Sequence, residues 1–123
     1  YGALVSGAGL SPKGSDDAAE AAWYPLFRLP EMAFDHARAL REITARLQWQ
    51  ARTAVVGRTC LPTTFRPEAL RKLHATILNV PELSDDPAAR GIQLGLLEAA
   101  DDEGGLRFTP KAVPGPDWDP LPW

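Results

Sequence analysis

The chain has 123 residues, of which 45% are hydrophobic and 24% charged, a globular composition with room for one domain or two compact pieces. It has no apolar run long enough to cross a bilayer, and its one cysteine and two histidines cannot supply an internal disulfide or a Cys/His zinc site. A formal net charge of -3 counts against strong non-specific nucleic-acid binding, which needs Lys and Arg to neutralise phosphates, so any DNA contact has to come from a local patch.

In chain order, residues 1–6 are short and β-prone and run into a Gly/Ser/Pro-rich loop, which predicts a strand. Pro25 and Pro30 confine a second strand to residues 19–24. Two strands cannot bury a sheet face alone, so the rest of the sheet is expected from sequence upstream of Tyr1 or from another chain. No basic segment followed by an apolar core opens the chain, and the expected compartment is the cytoplasm. Asp35 is a suitable N-cap, and Ala37, Leu40, Ile43 and Leu47 recur at helical spacing, predicting a helix over 35–48 with a possible helical turn within 51–56. Pro67 suits a first helical turn, and Leu70, Leu73, Ile77 and Leu78 form the apolar stripe of a helix over 67–78.

Asn79-Val80-Pro81 interrupts that helix. Ser84 or Asp85 can cap a third over 86–94, with Pro87 in its first turn, Ala89 and Ile92 facing inward, and Gly95 as a left-handed terminator. Leu96-Leu97-Glu98 and Leu106-Arg107-Phe108, joined by the polar Asp101 to Gly105 connection, read as a β-hairpin. Helix, tight turn, helix and hairpin is the order of a winged helix-turn-helix. The segment 113–123 holds four prolines and two tryptophans and reads as an irregular tail, with Trp118 and Trp123 as its anchors. Cys60 reads as a small apolar packing residue.

The block Asp17-Ala18-Ala19-Glu20-Ala21-Ala22-Trp23-Tyr24-Pro25-Leu26, followed by Leu29-Pro30 and Ala33-Phe34-Asp35-His36-Ala37, resembles the last strand and final helix of Nudix domains in the Nudix-related transcriptional regulators of NAD metabolism. Leu61-Pro62, Phe65, Leu70, Ile77-Leu78 and Leu94-Gly95-Leu96-Leu97-Glu98 are similar to the winged helix that follows such domains. The resemblance implies an α+β architecture: residues 1–50 as the C-terminal portion of a Nudix domain, 51–112 as a winged helix-turn-helix, and 113–123 as the tail. It also implies a homodimer in which a sensor for ADP-ribose or a related NAD metabolite controls the hold on operator DNA. Members of the same architecture include pyrophosphatases, so the alternative is a hydrolase whose winged helix is a dimerisation or interaction module.

The glutamate-rich Nudix box that holds magnesium is not in these residues, so they supply no catalytic or metal site; magnesium belongs to the expectation only if such a box lies upstream. Asp16-Asp17, Asp85-Asp86 and Asp101-Asp102-Glu103 are adjacent loop charges, not carboxylates spaced along a helical face. Candidate DNA contacts are Arg66, Arg71 and Lys72 around the second helix, Arg90 and Gln93 on the third, and Arg107 and Lys111 at the hairpin. Ordinary surface charge is the competing reading, because 51–123 carries eight Lys or Arg against ten Asp or Glu. Asp85-Asp86 would also meet phosphate at the N-terminus of the third helix. Candidate ligand-pocket residues are Trp23, Phe34, Asp35 and His36, with core packing as the alternative for the aromatics and a capping-turn or interface hydrogen bond for His36. His74, beside an apolar stripe, reads as structural.

Overall fold

The computed structural model describes residues 23–112. Over them the protein is a small α+β fold: α1 (Phe34–Thr53), α2 (Pro67–Leu78), α3 (Pro87–Gln93), β1 (Leu97–Ala99) and β2 (Leu106–Phe108). The strand expected over 1–6 and the tail over 113–123 lie outside the described residues, as does all of the second expected strand except Trp23 and Tyr24, which are irregular.

Helix α1 starts one residue before the expected cap. Ala33 is the N-cap without a side-chain bond, and Asp35 lies inside the first turn, where its carboxylate still faces the positive end of the helix dipole. The helix continues beyond Gln48 to Thr53 because nothing from Trp49 to Thr53 breaks it and its C-terminal carbonyls find distant partners. Ala51 O accepts from His74 Nδ1 at 3.1 Å and from Arg90, and Ala54 O accepts from Arg90 Nε at 2.9 Å. Gly57, at φ +121°, then turns the chain. A glycine is required there, since a Cβ would lie 2.5 Å from a Leu73 methyl as well as in an unfavourable backbone region.

Helix α2 has the expected bounds. Pro67 sits in its first turn, where the missing amide hydrogen costs nothing, and Asn79 ends it in the left-handed conformation at φ 54°. Leu70, His74 and Ile77 are its buried face. Gln48 Nε2 donates to Ile77 O at 3.1 Å, which ties α1 to the end of α2.

For α3 the inward face differs from expectation. Pro87, Ala88 and Gly91 are buried, whereas Ala89 is exposed and Ile92 is 54% exposed. The cause is Gly91: a Cβ there would lie 2.5 Å from Leu97 Cδ1 and 2.8 Å from Val55 Cγ2, so the helix rests on its smallest residue and turns Ile92 outward. Asp86, neighbour of the two expected caps, is the N-cap and accepts from Ala88 N at 3.1 Å. Gly95 follows the helix at φ +74°.

Strands β1 and β2 pair antiparallel, with Leu97 opposite Phe108, Glu98 opposite Arg107 and Ala99 opposite Leu106. Asp101 Oδ1 closes their turn by accepting from Glu103 N at 2.9 Å and Gly105 N at 2.7 Å. Phe65, just before α2, bridges to Leu106 from the other side through reciprocal backbone bonds of 2.9 and 2.8 Å. That bridge carries Phe65 into the core with Leu70, Ala88, Leu97 and Leu106, and Val55, Leu61 and Phe108 pack around them. The rings of Phe65 and Phe108 are 5.4 Å apart and tilted by 44°.

Candidate nucleic-acid interface

The candidate cations fall around α2, α3 and the hairpin, and most are engaged within the fold. Arg71 lies on the exposed side of α2, one turn from the Pro67 start, and faces the N-cap of α3. Its Nε and Nη2 each reach an Asp86 carboxylate oxygen at 3.0 Å, a bidentate pair, and Glu68 lies 3.9 Å from Nη1. That guanidinium holds the Asp86 carboxyl below the usual carboxylate range, and Asp86 in turn raises Arg71. Arg107 is opposite Glu98 in the strand register and bonds its Oε1 at 2.8 Å.

Arg66, the N-cap residue of α2, reaches across to the hairpin turn. Its guanidinium donates to Glu103 O and lies 3.6 Å from Glu103 Oε2. The start of α2 and the hairpin turn therefore meet, as a patch built from two distant segments requires, but they meet through a carboxylate. Lys111 Nζ donates to Leu94 O at 3.1 Å, at the C-terminal end of α3. Lys72 and Gln93 are exposed, and Lys72 has no ion-pair partner among the described residues.

Arg90 points the other way. Its side chain is only 16% exposed, with Nε and Nη2 on the carbonyls of Ala54 and Ala51 and Nη1 on Asp85. Expected on the surface that would meet DNA, it instead clamps α3 to the end of α1. The outward face of α3 is left with Ala89, Ile92 and Gln93, and Leu94 behind them is 41% exposed. This is an apolar face, poor in the fork-like donors that read base edges.

Beneath the cations lies His74, 1% exposed. Val56 N donates to its Nε2 at 3.2 Å while its Nδ1 faces Ala51 O, the pattern of a neutral ring protonated at Nδ1. Burial pushes its pKa below the ordinary value, and nearby Arg90 acts in the same direction. Cys60 is half-buried with its thiol raised by burial, in keeping with a packing role. Asp101 is held below the usual range by the amide hydrogens of Gly105 and Glu103. Among the described residues no group of three or more His, Cys, Asp or Glu is arranged to hold a metal ion.

Three of the expected ligand-pocket residues are solvent-facing. Trp23 is 65% exposed, Asp35 and His36 are exposed in the first turn of α1, and Phe34 opens that helix. A groove of about 420 Å³ does lie against α1, lined by Leu26, Phe27, Leu29, Met32, Leu40 and Arg41 among others, and Trp23, Asp35 and His36 are outside its lining. The signal for this groove in the sequence is the aliphatic set Leu26, Leu29 and Met32 around Phe27. One further cation was missed: Arg58 Nη1 donates to Thr109 O at 2.9 Å and Ala112 O at 2.8 Å, fixing the chain beyond β2. No helix among the described residues is long and apolar enough to cross a membrane. No family model, curated protein or solved structure matches the chain.

Proposed function

We propose that this chain is the C-terminal part of a Nudix-fold protein of ADP-ribose or NAD-metabolite chemistry, with α1 as the last Nudix helix and residues 54–112 as a winged helix that serves as an interaction module. The architectural reading is supported by the Phe65–Leu106 bridge. It places a one-residue strand between the first two helices and adds it to the hairpin, giving helix, strand, helix, helix and hairpin. The Nudix reading rests on the resemblance of residues 17–37. Hydrolysis or sensing of a nucleotide belongs to a glutamate-rich box with its magnesium, which these residues do not contain.

One observation favours an interaction module over a DNA reader: every candidate DNA-contacting cation except Lys72 already holds a partner. Arg66, Arg71, Arg90 and Arg107 face Glu103, Asp86, Asp85 and Glu98, and Lys111 holds a carbonyl. A phosphate would have to displace those carboxylates, and the counterion release that drives DNA association would be largely lost. The apolar outward face of α3 fits a protein surface better than a groove of base edges.

A regulator that holds operator DNA is the second reading, favoured by the meeting of Arg66 with the hairpin turn and by the unpaired Lys72. Fluorescence anisotropy with promoter DNA, at low and at physiological salt, separates the two. The interaction-module reading expects no binding at physiological salt; saturable binding there with a steep salt slope would establish the regulator instead.

A further inference from the structure

The last turn of α1 is held to the rest of the fold by residues that include a buried titratable ring. Segment 54–56 leads from α1 to Gly57, and His74, on the buried face of α2, stands against both ends of this link. Its Nδ1 faces Ala51 O at 3.1 Å, while its Nε2 lies 3.2 Å from Val56 N and 3.3 Å from Val56 O. One ring thus bridges the end of α1 and the residue before Gly57. Arg90 shares the Ala51 carbonyl through Nη2 and takes the Ala54 carbonyl through Nε, with Asp85 on its Nη1. The charged groups that face the ring are Arg90 on α3 and Asp85 just before that helix; α1 and segment 54–56 meet it with the backbone groups already named.

A neutral ring protonated at Nδ1 donates to Ala51 O and accepts the Val56 amide hydrogen, so both ends of the link are satisfied. A second proton, on Nε2, removes that acceptor. Two N–H groups then point at each other, and the new one finds an acceptor only if the Val56 peptide turns to offer its carbonyl. The imidazolium also sets a second cation beside Arg90, with the Asp85 carboxylate left to face both. Water cannot ease this, because the ring is 1% exposed. We propose that His74 is a proton-operated latch on the joint between α1 and the rest of the fold: its protonation releases Val56 and opens segment 54–56, while the core stays folded. The core is separable from the joint. Its central cluster of Phe65, Leu70, Ala88, Leu97 and Leu106 contains no residue of α1 or of segment 54–56, whose Val55 packs against it. Burial keeps the ring neutral in the closed joint and Arg90 acts in the same direction, so proton uptake belongs to the open form.

Amide hydrogen exchange of the full chain, followed by NMR and corrected for the intrinsic effect of pH on exchange, tests the latch. The Val56 amide should lose protection by up to about thirtyfold between pH 8 and pH 5, because a released ring of ordinary pKa 6.5 binds its proton about tenfold more completely with each unit below that value. Low urea should leave this exchange unchanged, as for a local opening, whereas the Phe65 and Leu106 amides should respond to urea because they exchange through global unfolding. His74→Gln should abolish the pH response of Val56, and His36→Asn, in the first turn of α1, should preserve it. Nitrogen NMR of the wild-type ring, which does not depend on any variant folding, should show the neutral form protonated at Nδ1 at pH 8. Val56 protection that is indifferent to pH overturns the proposal, as does Val56 exchange that follows urea like the core. So does a ring protonated at Nε2 at pH 8, or a pH response that survives His74→Gln.

Discussion

His74 and Arg90 meet at one carbonyl, that of Ala51, and together they replace the partners that the end of α1 would otherwise seek in water. Arg90→Met should keep much of the packing and lose the bonds to Ala51 and Ala54. Ala51 O keeps its bond from His74, but leaving the Ala54 carbonyl without its partner costs about 1–3 kcal/mol, read as a lower urea midpoint. His74 adds a pH dependence. Its folded pKa lies below the ordinary 6.5, so the unfolded chain takes up the proton first as pH falls. Its contribution is complete above about pH 6.5 and declines below it toward the folded pKa. Urea midpoints measured from pH 8 to pH 5 should fall across that window, and His74→Gln should flatten the fall. Asp86 and Asp101, both held low, act in the same sense but lose their contribution only in the acid range near and below pH 4.

At the scale of the elements, α3 shows what local pattern could and could not specify. Its position was legible because Pro87 and Gly95 bracket it and each has a mechanical role. Its rotation was not, because apolar spacing favours Ile92 for the interior, while close packing of Leu97 and Val55 selects Gly91. Gly91→Ala should therefore destabilise the fold by about 1–3 kcal/mol despite the better helix propensity of alanine, a sign that chemical denaturation would read directly. The ends of α1 escaped for a related reason: its last turn is satisfied by side chains 23 and 39 residues away, which no window along the chain contains. The bounds of α2 and of β2 needed no such long-range partner, whereas β1 runs over Leu97–Ala99, one residue later than the expected 96–98. The one-residue bridge at Phe65 was too short to leave an alternating pattern, although Phe65→Ala should cost about 3–5 kcal/mol because it removes the ring that joins bridge, hairpin and core.

Across the molecule the decisive property is where charge sits. Composition alone shows an excess of acid, and that much was readable before any fold was known. Which carboxylate faces which cation was not, since Arg71 and Asp86 are 15 residues apart and Arg66 and Glu103 are 37 apart. The fold brings these pairs together on the surface that would otherwise be its basic patch. Exposed pairs of this kind contribute little stability, so their consequence is electrostatic: they lower the positive potential a phosphate backbone would meet.

The direct test of that consequence is the salt dependence of DNA association for the wild-type chain and for Glu98→Gln/Glu103→Gln. Freeing Arg107 and removing the carboxylate beside Arg66, which keeps its bond to the Glu103 carbonyl, should create binding that the wild type lacks, with a slope of log affinity against log salt up to about -1.8 for two uncompensated cations. Wild-type binding of equal strength and equal slope would contradict it, because those arginines would then have been available to phosphate from the start.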